Sequence, residues 1–220
     1  MDNTQRLTVI GASRGTGALF AQRAARTGHL VRAVARSAPA YQHPRISWYR
    51  ADATDSAALT EPISGADAVI IMVGAPGRDR SQVRAMTTRA VVAAMNRAGV
   101  RRLLVQSSLG IGDSHTRLNL ITRYLVFPLL LAPAMADHRA QEAIVMDSGM
   151  DWTLLRPGYL SDGEPSGQVI AVDSSYTGPM RDRLTRADVV DAALSTLVDP
   201  QTIGQALMVG LHANAPATTR

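Results

Sequence analysis

The run Val9-Ile10-Gly11-Ala12-Ser13-Arg14-Gly15-Thr16-Gly17-Ala18 constrains this chain more than any other stretch of its sequence. Leu7 to Ile10 is an apolar strand pattern, and it passes through a glycine-rich turn into a helical pattern from Ala18 to Arg26. Glycine lets a chain turn sharply and lets backbone N–H groups approach a ligand with no Cβ in the way. A helix opening directly behind the turn offers unpaired donors and the positive end of its dipole, which suits a phosphate. A glycine triplet alone says little. Set between a strand and a helix, with a second strand at Leu30 to Ala35, it meets the context a dinucleotide pyrophosphate requires. Gly11, Ser13, Arg14, Gly15, Thr16 and Gly17 are therefore expected to hold a dinucleotide.

An absence sharpens this expectation. After the second strand of such a unit, an Asp or Glu receives the ribose 2′-OH of NAD, whereas an Arg suits the 2′-phosphate of NADP. The segment from Leu30 to Arg50 contains no acidic residue, the strand ends on Arg36-Ser37, and Arg14 stands inside the turn. Guanidinium binds phosphate in a bidentate, charge-assisted way. NADP, as NADPH, is the expected cofactor, with Arg14 and Arg36 as its clamp.

Strand and helix patterns then alternate, which argues for an α/β domain with a doubly wound, mostly parallel sheet covered on both faces. Strands are expected at Leu7–Ile10, Leu30–Ala35, Ile46–Tyr49, Ala68–Val73, Arg102–Gln106, Trp152–Leu155 and Ala206–Val209, with a short one at Gln168–Val172. Helices are expected at Ala18–Arg26, Ser56–Pro62, Gln82–Ala98, Asp137–Met146 and Ala187–Leu197. Ligands of open parallel sheets bind at the carboxyl ends of the strands. That places Arg36, Asp52, Val73-Gly74-Ala75, Ser107-Ser108 and Arg156-Pro157-Gly158-Tyr159 around a crevice. Asp52 has two readings of equal weight: a partner for the adenine amine, or the cap of a helix beginning near Thr54.

A chain of 220 residues suits one domain, here residues 1–211, with loops 112–135 and 158–186 on the substrate side and 212–220 as a flexible tail. Cysteine is absent, which excludes disulfides and thiolate chemistry. No metal-binding cluster is expected. The polar start leads straight into the first strand without a secretory signal, so a cytoplasmic protein is expected. The formal charge is +5, and all 23 basic residues are arginines, spread along the chain rather than gathered into a patch. Nucleic acid is therefore not expected as a partner. The most apolar stretch, Leu118 to Ala132, is interrupted by Arg123 and Pro128 and is too short for a bilayer. It reads as a helix with a buried apolar face, beside the substrate or in a subunit contact; a monomer or homodimer fits.

These motifs together resemble the short-chain dehydrogenase/reductase superfamily. Gly11-Ala-Ser-Arg-Gly-Thr-Gly17 has its Gly-x-x-x-Gly-x-Gly spacing, and Asp52, Val73-Gly74-Ala75, Ser107-Ser108 and Leu155-Arg156-Pro157-Gly158 fall where its later motifs fall. The short length, the Asp137-His138 pair and the Trp-Thr-Leu-Leu-Arg-Pro-Gly run are similar to its atypical NAD(P)H-binding branch. That branch includes biliverdin-IXβ (flavin) reductases and nitrogen-metabolite-repressor-like sensors. The resemblance implies a single-domain Rossmann fold.

One departure governs the mechanism. Most members of the superfamily use Tyr-x-x-x-Lys as acid/base, and this chain contains no lysine. Glu142 resembles the Glu that follows that Lys by four residues in extended relatives, which puts His138 at the Lys position and Ala134 at the Tyr position. The one Tyr-x-x-x-Arg match, Tyr41 to Arg45, contains His43-Pro44 and reads as a loop coincidence. His138 is a candidate proton donor or ribose ligand, against the plainer reading of a surface histidine beside Asp137. Ser108 matches the serine of the flavin reductases and is a candidate for orienting the substrate or the nicotinamide. Those relatives carry a histidine where this chain has Gly158, which leaves Tyr159 as the nearest hydroxyl donor. Without a Tyr/Lys pair, a simple ketone would lack general-acid help of about 10²–10⁴-fold. The expected function is thus an NADP-dependent oxidoreductase passing hydride to a conjugated, hydrophobic or aromatic small molecule such as a flavin, quinone or polyketide. A non-catalytic NADP(H) sensor and an isomerase or dehydratase using bound nicotinamide are the alternatives.

Overall fold

A computed structural model describes residues 4–37, 41–75, 79–117 and 129–213. The first half alternates strictly: β1 (Arg6–Ile10), α1 (Gly15–Arg26), β2 (Leu30–Ala35), β3 (Ile46–Arg50), α2 (Thr60–Ile63), β4 (Ala68–Ile71), α3 (Val83–Ala98) and β5 (Arg102–Gln106). A 3-10 helix (Gly112–Arg117) precedes the undescribed residues 118–128. The second half contains α4 (Ala132–Met146), β6 (Asp151–Pro157), β7 (Tyr159–Ser161), β8 (Val169–Val172) and β9 (Met180–Arg181). It ends with β10 (Arg183–Thr185), α5 (Arg186–Val198) and β11 (Gln205–His212).

The main sheet runs β3-β2-β1-β4-β5-β6-β11-β8, with β9 pairing beside β11. All its pairs are parallel except those that β8 and β9 make with β11. The sheet side chains alternate between two cores, as the pleat requires. Leu7, Val9, Ile70, Leu104 and Leu155 pack with Phe20, Ala24, Val189 and Leu197 of α1 and α5. Ile10, Val34, Val69, Ile71, Leu103, Val105 and Leu154 pack with Ile63, Val91, Met95 and Val145 of α2, α3 and α4 on the other face. Strands buried on both faces read as continuous apolar runs, which is how β4 (Ala-Val-Ile-Ile) appears in the sequence.

This order places the site. The chain moves outward from β1 to β2 and β3, then returns to β4 on the other side of β1, so the switch of direction lies between β1 and β4. Ile10 pairs with both Val34 and Ile71, which brings the carboxyl ends of β2, β1 and β4 to one level directly below the glycine turn. Crevices for ligands form at such switch points.

Several boundaries differ from expectation. The first helix begins at Gly15 rather than Ala18, and the second is a single turn at Thr60–Ile63, preceded by turns. Helix α4 begins at Ala132, five residues before the expected Asp137, because Pro133 is tolerated in a first turn where no N–H is needed. His212, the first residue of the expected tail, instead closes β11 and donates its N–H to the Gln168 carbonyl at 3.1 Å, and residues 214–220 lie outside the described residues. The expected helix over Leu118–Ala132 lies mostly outside the described residues. Leu129 and Leu130, which are described, are exposed rather than buried. The pair β7–β10 was not anticipated; it forms a separate two-stranded parallel sheet. Among the described residues, no helix is long and apolar enough to cross a membrane.

Candidate dinucleotide site

The glycine turn is fixed from below by β2. The N–H groups of Gly11 and Ala12 both donate to the Val34 carbonyl, at 3.0 and 3.2 Å. Gly17 sits in the first turn of α1, where a Cβ would collide with the Gly11 carbonyl, so only glycine lets helix and turn approach this closely. Tyr41 clamps the turn from the side: its hydroxyl donates to the Ala12 carbonyl at 2.8 Å, and burial pushes its pKa up to about 12. The Tyr41 motif dismissed as a coincidence for catalysis therefore has a structural role. Arg14 occupies the N-cap of α1 in extended backbone, makes no side-chain cap, and is followed by no acidic residue in the first turn. An uncapped helix end without a carboxylate keeps its N–H groups and dipole open to an anion.

Beside this turn lies a cleft of about 600 Å³. Gly11, Ser13 and Arg14 line it from the turn, Arg36 from the end of β2, Asp52 from the end of β3, and Val73, Gly74 and Ala75 from the end of β4. Val83, Met86 and Thr87 of α3 form the far wall. Arg14 and Arg36 are exposed, and among the described residues neither side chain makes a hydrogen bond or ion pair, so both guanidiniums are open to a ligand in the cleft. The Asp52 Oδ1 accepts from the Thr54 N–H at 2.9 Å and the Thr54 hydroxyl at 2.8 Å. Those two bonds, and Arg36 at longer range, hold its carboxyl below the ordinary value. They close a local turn, since the next helix begins only at Thr60. No helix begins near Thr54, so Asp52 is not the helix cap that was expected; it lines the cleft.

The ends of β5 and β6 carry a buried charge network. Ser107 donates to Glu142 Oε1 at 2.6 Å, and Arg156 grips the same carboxylate with Nε (3.0 Å) and Nη2 (2.7 Å). The third arm of Arg156, Nη1, pairs with Asp113 of the 3-10 helix. Ser107 is thus held by α4, whereas Ser108, next along, is only half-buried and donates to the Leu109 carbonyl at 3.2 Å. Pro157 is buried and accepts the Leu109 N–H at 2.8 Å, joining the two strand ends. Gly158 follows, and a Cβ there would strike the Asp182 carbonyl, which already receives the Tyr159 N–H at 2.7 Å. No histidine fits at this position. Tyr159 is exposed, with the Arg183 guanidinium 5.9 Å from its ring centre.

His138 is not on the surface, which corrects the plainer reading. It is 8% exposed in the seam between α3 and α4. Asp137, beside it, caps α3 from another helix: its carboxylate accepts the N–H groups of Arg84 (3.1 Å) and Ala85 (2.9 Å) and pairs with Arg84 Nη1 at 3.2 Å. Arg84 reaches on to the Ala75 carbonyl at 3.1 Å and so pins the β4 loop that lines the cleft. Burial, and then the Arg84 cation, push His138 down to about 4, with Gln141 and Asp137 opposing weakly. At neutral pH the imidazole is uncharged in all but about one molecule in 10³. That is a poor state for a proton donor.

Apart from His138, which lies in the α3–α4 seam, the expected residues are brought together at one end of the sheet, in two groups. Gly11 to Gly17, Arg36, Asp52 and Val73–Ala75 surround the turn and cleft, while Ser107, Ser108, Pro157 and Tyr159 lie along the ends of β5, β6 and β7. Sequence reasoning missed Tyr41, Arg84, Asp137 as a cap, and Arg156 as a hub. For Arg84 and Asp137, a charged residue at a buried helix position was the available signal.

Comparison with known proteins decides the family. Residues 11–200 match the model of the family described as NAD(P)H-binding. The chain belongs to the NAD(P)H-binding family. The uncharacterized chloroplastic protein At2g34460 of Arabidopsis thaliana is 26% identical over 226 residues, covering 97% of this chain and 79% of that one. A short-chain dehydrogenase/reductase from Veillonella parvula, solved in complex with NADP, superposes with a TM-score of 0.79 at 18% identity, covering 97% of this chain and 99% of that one. ChuY, an anaerobillin reductase from Escherichia coli O157:H7, gives 0.74 at 22% identity, covering 96% and 100%. This NAD(P)H-binding protein thus has the Rossmann fold of the short-chain dehydrogenases/reductases.

Proposed function

We propose that this protein is an NADPH-dependent reductase acting on a conjugated or aromatic small molecule. The observation that carries the reading is the cleft with two guanidiniums open to a ligand, Arg14 and Arg36, and no carboxylate at the end of β2. Each Arg–phosphate contact to a 2′-phosphate contributes about 1.5–3 kcal/mol, the range for hydrogen bonds to charged groups. The turn Gly11–Gly17 would hold the pyrophosphate, and Val73–Ala75 the stretch leading to the nicotinamide. Bound NADPH supplies hydride; the protein supplies orientation and electrostatics.

The residues around the acceptor end favour a substrate that needs no protein acid. His138 is neutral and buried, Ala134 has no hydroxyl, and the chain has no lysine. A flavin, quinone or polyketide-like ring takes hydride into a delocalised system and collects its proton afterwards from water. Ser108 and Tyr159 are the groups that would orient such a ring, Ser108 by its half-buried hydroxyl and Tyr159 by its exposed face. The reading in which a similar site only reports the NADP(H) state to a partner predicts the same binding without turnover.

Cofactor choice tests the reading. Wild-type protein should bind NADPH at least tenfold more tightly than NADH, and Arg36→Asp should reverse the preference, measured by quenching of intrinsic fluorescence. Equal affinities in the wild type would remove the basis for NADP.

A further inference from the structure

A third guanidinium stands on the opposite flank of the glycine turn. Arg186, the first residue of α5, places its Nε 3.9 Å from the point a Cβ on Gly15 would occupy. Helices α1 and α5 lie side by side in the same core, joined by the Arg23–Asp191 ion pair, so their N-termini open together at the carboxyl end of the sheet. In the present structure Arg186 Nη1 pairs with Asp162 Oδ1 at 2.6 Å.

Three features indicate that this pairing is not the reason for an arginine here. The Asp162 side chain is 90% exposed, so the pair is a surface salt bridge of little worth. A cation in the first turn of a helix also faces the positive end of the dipole, which disfavours it. The turn of α5 is secured without it, by a capping box in which Thr185 and Asp188 bond reciprocally. An arginine that contributes little to its own helix, held by a water-exposed carboxylate and leaning over the anion-binding turn, is placed for an anion.

We propose that Arg186 is a further cofactor-binding residue, which exchanges Asp162 for the diphosphate bridge of the dinucleotide. Guanidinium to phosphate is a stronger, bidentate contact than guanidinium to an exposed carboxylate. This rests on the dinucleotide reading above. It differs from the role given to Arg36 in one respect: the diphosphate is common to NADPH and NADH, so Arg186 contributes to affinity and not to the choice between them.

The test measures dissociation constants for NADPH and NADH with wild type, Arg186→Met, Arg186→Gln and Asp162→Asn. Both Arg186 variants should weaken both cofactors about tenfold, leave their ratio unchanged, and leave the thermal midpoint of the cofactor-free protein unchanged or higher. Asp162→Asn should bind both cofactors two- to fivefold more tightly, because the competing carboxylate is gone. Wild-type affinity in the Arg186 variants would overturn the proposal. So would weaker binding in Asp162→Asn, which would mark the ion pair as structural, or a loss confined to NADPH, which would place the guanidinium on the 2′-phosphate. If the wild type binds neither cofactor, the dinucleotide reading itself fails, whatever the variants do.

Discussion

His138 makes the stability of this protein pH-dependent in a defined window. In the unfolded chain its imidazole takes a proton near 6.5, whereas in the fold burial and the Arg84 cation delay this to about 4. Between these values the unfolded state binds more protons than the native state, so stability rises with pH. The contribution of the neutral imidazole is complete above 6.5 and is lost as pH falls toward 4. At 1.36 kcal/mol per unit, the full loss is about 3 kcal/mol, of which about 2 kcal/mol has gone by pH 5. The carboxylates held low by hydrogen bonds, among them Asp52 and Asp188, titrate below this window and do not obscure it. His29, also lowered by burial, acts in the same direction and is present in both proteins compared. Urea unfolding of wild type and His138→Asn at pH 7 and pH 5 isolates the term. The wild type should lose about 2 kcal/mol more than the variant between the two pH values. Parallel losses would show that the imidazole titrates normally, and would restore His138 as a candidate acid.

Substitutions at three positions probe the rest of the framework. Gly158→His, which installs the histidine of the flavin-reductase relatives, should lower the thermal midpoint by several degrees, since overpacking costs about 1–3 kcal/mol and the Asp182 carbonyl occupies the space; an unchanged midpoint would refute the steric argument. Glu142→Ala should destabilise by roughly 3–5 kcal/mol in urea, because it leaves the Arg156 cation buried with only the rim residue Asp113 as partner; a loss under about 1 kcal/mol would mean the network contributes little. Thr185→Ala should cost about 1 kcal/mol through loss of the α5 cap, and Thr185→Ser should recover most of it.

The sheet was legible because its strands carry the pattern that burial on two faces imposes. β2 and β5 fall at Leu30–Ala35 and Arg102–Gln106, as the apolar runs indicate. The glycine turn was legible for a related reason: Gly17 has no steric alternative, so the sequence shows the contact. Helix starts were less so, since Pro133 punctuates a loop and a first helical turn equally well. Strands of two or three residues such as β7, β9 and β10 carry no period to detect. The charge networks were hidden for another reason. Arg84 and Asp137 are 53 residues apart, and nothing local in either helix names its partner. The same separation explains why a histidine beside an aspartate read as a surface pair: only the packing of α3 on α4 buries it.

In the proposed reaction, hydride passes from NADPH to a conjugated acceptor without a protein acid. The direct measurement is anaerobic single-turnover oxidation of NADPH bound to the protein, followed by its absorbance after mixing with FMN, menadione or cyclohexanone. Rapid oxidation is expected with FMN or menadione, little or none with cyclohexanone, and the rate should stay level across the pH range in which an acid would titrate. Tight NADPH binding with no oxidation by any of the three would contradict the proposed reaction and leave a sensor.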